Sequence, residues 1–389
     1  MTPSDEALIE KLRDQRVSLA QVRDALPSEK TLVVTLALGT ERSFLWALTR
    51  DRFESFELPP RQQLSTVIKK AYEEIQEKQY RKPGTASTPA LDELSKTLLA
   101  DLVEREGDWL ANVERWLIIP DGVSHYVPWA ALPWTTENSP GSLIHNFQLT
   151  TFPSAPSWYQ LQSQSKRRSK TPSLAVVGDP VLDSRLFESN EGAHDPIASK
   201  FPRLRYARLE GENIAELVEE SKTFFRFEAN RQRILEGLLA NFGVIQFSTH
   251  AVLHRDPQRH GLWLSRFDEG GREVNGFLTD RDIRQLDLRA DLVVLSGCET
   301  ALGEETAVEG FLGMTQAFFQ AGTARLVVSL WAVDDAATSV LMEDLHKAYW
   351  DHDLSASAAL RDAQLGLLES DRFNAPFYWA GFVQQGRLD

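Results

Sequence analysis

Two apolar runs of this 389-residue chain end in side chains that can do chemistry together. The stretch VIQFSTHAVLH brings His250 to the close of one run, and LVVLSGC brings Cys298 to the close of another, 48 residues further on. Cys298 is the only cysteine in the chain. A structural thiol normally sits inside an apolar run, whereas this one sits just past it, after Ser296 and Gly297. A cysteine attacks as its thiolate, and an imidazole within hydrogen-bond reach both lowers the thiol pKa and takes the proton. A loop, a short helix and a second strand fit into the intervening span, so the two ends are expected side by side. Gly297 is read as permitting a sharp turn there, after which the Cys298 N–H faces a substrate carbonyl, as an oxyanion site requires.

The elements that must hold these ends form a regular series. Beyond residue 173 the apolar runs SLAVVGDP, TFFRFEA, GVIQFSTH, DLVVLSGC, RLVVSLWAV and FYWAGFVQQG alternate with helical stretches near 207–221, 230–241, 279–286, 308–320, 335–350 and 355–369. These runs are too apolar to be half-exposed strands. They predict an α/β fold with a mostly parallel sheet covered by helices on both faces, and in such sheets ligands bind beyond the carboxyl ends of the strands. Upstream, TLVVTLAL and SFLWALTR flank GTER as a hairpin, residues 61–79 and 90–112 read as helices, and RWLIIPDG reads as a strand. The polar, basic stretch SQSKRRSKTPS interrupts the pattern and is read as a linker, 166–173, between two halves.

Composition narrows the function classes. An apolar share of 42% with ten tryptophans supplies large buried cores, and a net charge of −14 repels polyphosphate backbones and anionic membranes. Neither nucleic acid nor membrane is an expected partner. A single cysteine makes no internal disulfide, and the charged N-terminus MTPSDEALIEKLRDQR has no signal-peptide core, so a reducing, cytoplasmic setting is expected. No Walker or dinucleotide motif is present. His250 and His254 stand at i, i+4 without the glutamate of a zinc protease helix, so no metal or cofactor is expected.

The stretches FSTHAVL, LVVLSGCETALGE, EGFLGMTQAFFQAGTARLVVSLWAVDDAATSVLM, AALRDAQ and FYWAGFVQQG resemble the CHAT family of caspase-like cysteine peptidases, kin to separases. LIIPDGVSHYVPWAAL and TFPSAPS extend the resemblance upstream, over roughly residues 18–386. The His-first spacing also matches that of caspases. The resemblance implies a catalytic lobe over 174–389 and a second, non-catalytic caspase-like lobe over 18–165. Residues 1–17 would be a helical tail closing an array of repeats, with an upstream repeat or sensor protein as a partner.

It also implies roles. His250 is the base and Cys298 the nucleophile, with the backbone N–H groups of Ala251 and Cys298 holding the oxyanion. Ala251 stands where the family usually has glycine, so its N–H serves only if its conformation does not demand positive φ. The segment SLWAVDD resembles the separase loop that selects the residue before the cut. Ser329, Trp331, Asp334 and Asp335 are therefore the expected substrate-binding positions, and an arginine or lysine the favoured occupant. Of the two aspartates, Asp334 also reads as the N-cap of the following helix, which leaves Asp335 for the substrate. Glu305 and Glu309 are secondary candidates. The implied activity is a cysteine endopeptidase cutting a protein partner in bacterial antiviral defence, such as a gasdermin-like pore-former. The rival is an inactive caspase-like scaffold, which would have no need of either dyad residue.

Overall fold

In a computed structural model the described residues are 17–77, 88–105, 107–134, 141–164, 172–186, 195–252, 260–299 and 305–389, with side chains described except at 107–108, 298–299 and 305–310. Residues 1–16, most of the expected linker (166–171) and His254 lie outside them.

The first half opens with helix α1 (Leu19–Ala25) and the antiparallel meander β1 (Thr31–Ala37), β2 (Ser43–Leu48) and β3 (Phe53–Leu58). Helices α2 (Arg61–Glu77) and α3 (Pro89–Glu104) follow, then β4 (Arg115–Ile119), β5 (Gln148–Thr151) and α4 (Ala155–Ser163). The two-residue period of a strand sends alternate side chains to opposite faces. Leu32 and Val34 of β1, with Trp116 and Ile118 of β4, join the main core shared with α2 and α3. Val33, Leu117 and Ile119 point the other way, into a smaller cluster with Val22 of α1 and Trp158 of α4. That is why both faces need helices.

The second half supplies β6 (Leu174–Gly178), α5 (Ala207–Glu216), β7 (Ser221–Phe225), β8 (Val244–Val252), β9 (Gly261–Trp263), β10 (Phe277–Thr279) and β11 (Leu292–Glu299). It closes with α6 (Glu305–Gln320), β12 (Arg325–Ser329), α7 (Asp335–Trp350), α8 (Ala356–Glu369) and β13 (Phe382–Gly386). The thirteen strands among the described residues join one mostly parallel sheet. Its order is β7-β6-β8-β11-β12-β13-β5-β4-β1-β2-β3, with the β9–β10 hairpin attached to the far end of β8. The expected α/β architecture with helices on both faces is what the chain adopts.

One strand decides how the halves meet. β13, the last of the chain, runs antiparallel to β12 on one side and parallel to β5 on the other. Because β4 and β1 are also parallel to β5, these three first-half strands point opposite to β8, β11 and β12. The carboxyl ends of the two halves therefore lie on opposite edges of the sheet. Residues of both halves share the main core, from Leu32 to Phe382.

Candidate active site

β8 and β11 are adjacent and parallel, with Leu295 opposite Phe247 but Gly297 opposite His250. A β-bulge thus places Ser248 and Thr249 against the single residue Ser296. The ladder then continues, Ala251 opposite Cys298 and Val252 opposite Glu299. This corrects the expected turn at Gly297: the strand runs on through it. Glycine is required there for a different reason, because a Cβ at 297 would stand 2.3 Å from the Thr249 carbonyl oxygen that the bulge pushes across. Ala251 lies in β8, and the described non-glycine residues with positive φ are Asp179, Arg226 and Asp353. Its conformation does not demand glycine.

His250 is buried, 6% exposed, and its ring lies 5.5 Å from that of Phe201. Its Nε2 is 2.7 Å from the Pro202 carbonyl oxygen. A carbonyl only accepts, so Nε2 carries the proton and Nδ1 is the basic nitrogen of the neutral ring. The segment that supplies this carbonyl is itself tied down. Arg203 donates two charge-assisted bonds to the fully buried carboxylate of Asp179 at the end of β6, at 2.7 and 2.8 Å. Sequence reasoning missed Pro202 because a main-chain acceptor leaves no mark in residue type.

Beside His250 lies a cavity of about 70 Å³ lined by Gly297, Glu210, Asp335, Thr338 and Ser296, among others. Asp334 and Asp335 take different places. Asp334 is the N-cap of α7, its side chain accepting from Ala337 N at 2.9 Å. Asp335, half-buried, lines the cavity and accepts from Tyr206 N at 3.1 Å. Its pKa is raised, chiefly by burial, against the lowering effect of that backbone bond and of the nearby His250.

Glu210 is the carboxylate the sequence reading missed. It is fully buried on α5, and Oε1 accepts from Gln246 Nε2 (2.9 Å), Ser248 Oγ (2.5 Å) and Ser296 Oγ (3.1 Å). Burial nonetheless pushes its pKa up to about 7. A weak signal existed: Ala207, Glu210, Gly211 and Ile214 share the buried face of the helix, so an acid interrupts an apolar stripe.

Two other expectations are corrected. Trp331 does not line this cavity. It is fully buried, donates Nε1–H to the Phe377 carbonyl at 2.9 Å and meets Tyr72 edge-on at 5.7 Å, which makes it a joint between the halves. Ser329 is fully buried on β12 and is likewise not part of the lining. The side chains of Cys298, Glu305 and Glu309 lie outside the described residues. A larger cavity, about 430 Å³, lies among Leu288, Asp291, Gly322 and Arg387 at the amino-terminal ends of β11 and β12, the edge opposite His250. None of the expected site residues lines it. No helix among the described residues is long and apolar enough to cross a membrane.

Known proteins place this architecture. The CHAT domain family model matches residues 88–387. Tetratricopeptide repeat protein 28 of Homo sapiens is 25% identical over 307 residues, and its Mus musculus counterpart 37% identical over 306; each match covers 69% of this chain. The chain spans only 12% of the length of those relatives. Two crystal structures of the Saccharomyces cerevisiae separase–securin complex superpose with TM-scores of 0.58 and 0.54 at 12% and 14% identity. They cover 98% and 97% of this chain and 31% of the matched chain. That likeness shows a common fold. Sharing the caspase-like α/β fold of those structures, the chain belongs to the CHAT domain family.

Proposed function

We propose that this chain is a cysteine endopeptidase in which His250 and Cys298 form the catalytic dyad. The observation that carries the reading is the register: His250 faces Gly297, and Cys298 is the next rung on the neighbouring strand. Ser296, two residues before Cys298, lines the same cavity as His250. His250 Nδ1 takes the thiol proton, held in that tautomer by the Pro202 carbonyl. The sulfur attacks the scissile carbonyl, and the N–H groups of Ala251 and Cys298 hold the oxyanion. The imidazolium then protonates the leaving amine, and water releases the acyl-enzyme. Asp335 receives an arginine or lysine before the cut. Residues 174–389 act as the catalytic lobe and 18–165 as its non-catalytic partner, joined by the 166–173 linker.

The substrate is a protein. A cytoplasmic, gasdermin-like effector in bacterial antiviral defence is the proposal drawn from the family resemblance. The names of the matched mammalian relatives support a tetratricopeptide-repeat segment or partner upstream.

Incubation with a peptide-based thiol-directed inhibitor tests the dyad by mass spectrometry. Wild type is expected to gain the inhibitor mass at Cys298, and His250→Ala to react far more slowly. Peptide-library profiling should show arginine or lysine before the cut. Asp335→Ala should lower that cleavage by about 30-fold or more, since truncating one partner of a buried charge pair costs about 2–5 kcal/mol. An inert Cys298 would sink the peptidase reading; a profile led by Leu or Met would sink the basic pocket alone.

A further inference from the structure

The cavity beside His250 holds more recognition chemistry than one aspartate. All three hydrogen bonds to Glu210 converge on Oε1. No donor among the described residues reaches Oε2, and Glu210 lines the cavity, so Oε2 is the oxygen left to meet an occupant. Thr338 lies one turn beyond Asp335 on α7, is 4% exposed and lines the same cavity, and its Oγ1 is buried with no hydrogen-bond partner among the described residues. A buried hydroxyl without a partner carries a desolvation cost that an occupant with N–H donors removes.

Glu210 is also held in place from behind. Trp350 Nε1–H donates to His346 Nδ1 at 3.3 Å, so His346 carries its proton on Nε2 and donates to Gln246 Oε1 at 3.2 Å. That contact turns the Gln246 amide so that its NH₂ faces Glu210. His346 is fully buried and burial depresses its pKa to about 3, so this tautomer persists across the neutral range. The relay fixes which oxygen of Glu210 is used up and which is presented.

We propose that Glu210 is a second specificity-determining carboxyl, acting with Asp335 and Thr338 Oγ1 to receive the guanidinium of an arginine side chain. The inference rests on the reading of this cavity as a basic-residue pocket. Two carboxyls and a hydroxyl offer acceptors from more than one direction, which suits the five N–H donors of a planar guanidinium better than a single ammonium. Burial is the main reason that Glu210 stays protonated. Asp335 on α7 opposes its charge, His250 lies on β8, His346 stays neutral, and Arg208 pairs with Glu212 on the exposed side of α5. Glu210 therefore holds its proton up to about pH 7. An entering guanidinium favours the ionised form, and the proton passes to solvent.

The test uses the full chain with peptides bearing Arg, Lys, neutral citrulline or Met before the cut, and with agmatine as a non-covalent guanidinium probe. Glu210→Gln keeps an acceptor for the three donors. It is expected to lower kcat/KM for the Arg peptide by about 30-fold or more, Lys less, and citrulline little. Calorimetry in two buffers should show agmatine releasing protons from wild type at pH 6 and markedly fewer from Glu210→Gln. Thr338→Val breaks no existing hydrogen bond and should weaken agmatine binding in a folded protein. Wild type preferring Arg with Glu210→Gln equal to it, or agmatine binding with no proton release, overturns the proposal and leaves the basic pocket standing. Wild type indifferent between Arg and citrulline overturns the basic-pocket reading and this inference with it.

Discussion

The two halves share one sheet and treat their strand ends in opposite ways. In the first half, the carboxyl ends of β1 and β4 are closed by local bonds. Leu38 N donates to Asp121 Oδ2 at 2.7 Å, the Leu38 carbonyl accepts from Arg61 Nη2 at 2.6 Å, and Asp121 N donates to Ser124 Oγ at 2.8 Å. In the second half, the corresponding ends of β8 and β11 carry His250, a bulge and a cavity with two carboxyls. Each half also buries a histidine near a strand end, with different consequences. His125 is held neutral by burial, which depresses its pKa to about 4, whereas His250 is oriented by a carbonyl beside the cavity. The same frame thus yields one edge where Leu38, Arg61, Asp121 and Ser124 close the strand ends and another where a cavity lies beside His250.

Exchanging the histidines between these roles is the strongest way to break the comparison. His250→Ala is expected to lower peptidase turnover by about 10²–10⁴-fold, the usual contribution of a positioned base, with little change in melting temperature. His125→Ala should do the reverse, with stability falling and turnover per folded molecule retained. Comparable activity losses in both variants would erase the distinction.

The pH dependence of stability should separate the halves next, by up to on the order of 3 kcal/mol for each group. His125 has a depressed folded pKa, so its contribution is complete above the unfolded value of 6.5 and is lost as pH falls through about 4. Glu210 has a raised folded pKa, so its contribution is complete below the unfolded value of 4.5 and is lost as pH rises through about 7. Urea titrations across pH 4–8 should therefore show His125→Gln flattening the acid limb and Glu210→Gln flattening the limb toward neutrality. Identical profiles for the two variants would refute the assignment.

Gly297→Ala probes the bulge that opens the second half. The new Cβ would overlap the Thr249 carbonyl, and forcing the strands apart should cost about 1–3 kcal/mol together with activity. A variant as stable and active as wild type would mean the bulge relaxes freely. The smallest effect is expected at Asp334→Ala, which removes the α7 N-cap at about 1 kcal/mol while leaving arginine selectivity in place. Loss of selectivity without loss of stability would exchange the roles of the two aspartates.

Much of this was legible before any fold was seen. The apolar runs marked the buried strands because a strand covered on both faces is apolar on both, as LAVV in β6, LVVL in β11 and LVV in β12 show; β8 interrupts its run with Gln246 and then carries Ser248, Thr249 and His250. Strand β3 escaped notice because FESFEL alternates charged and apolar residues at the sheet's edge, where only one face is buried. The helix after residue 230 was read as longer than the five residues, Arg231–Leu235, that form it. Helical spacing persists in sequence after the hydrogen bonds have stopped.

By itself the sequence determined the strand series, the placing of His250 and Cys298 at the ends of two successive runs, and Asp334 as a helix start. Each is a local matter of periodicity or capping, set by residues within a few positions of one another. Only the tertiary structure decided that Glu210 faces the cavity, that the Pro202 carbonyl orients His250, that Trp331 serves the core, and that β13 turns the halves head to tail. Those contacts join residues 38 to 234 positions apart in the chain. Residue type alone cannot specify such contacts, because the same glutamate on the other face of α5 would be a solvated surface acid.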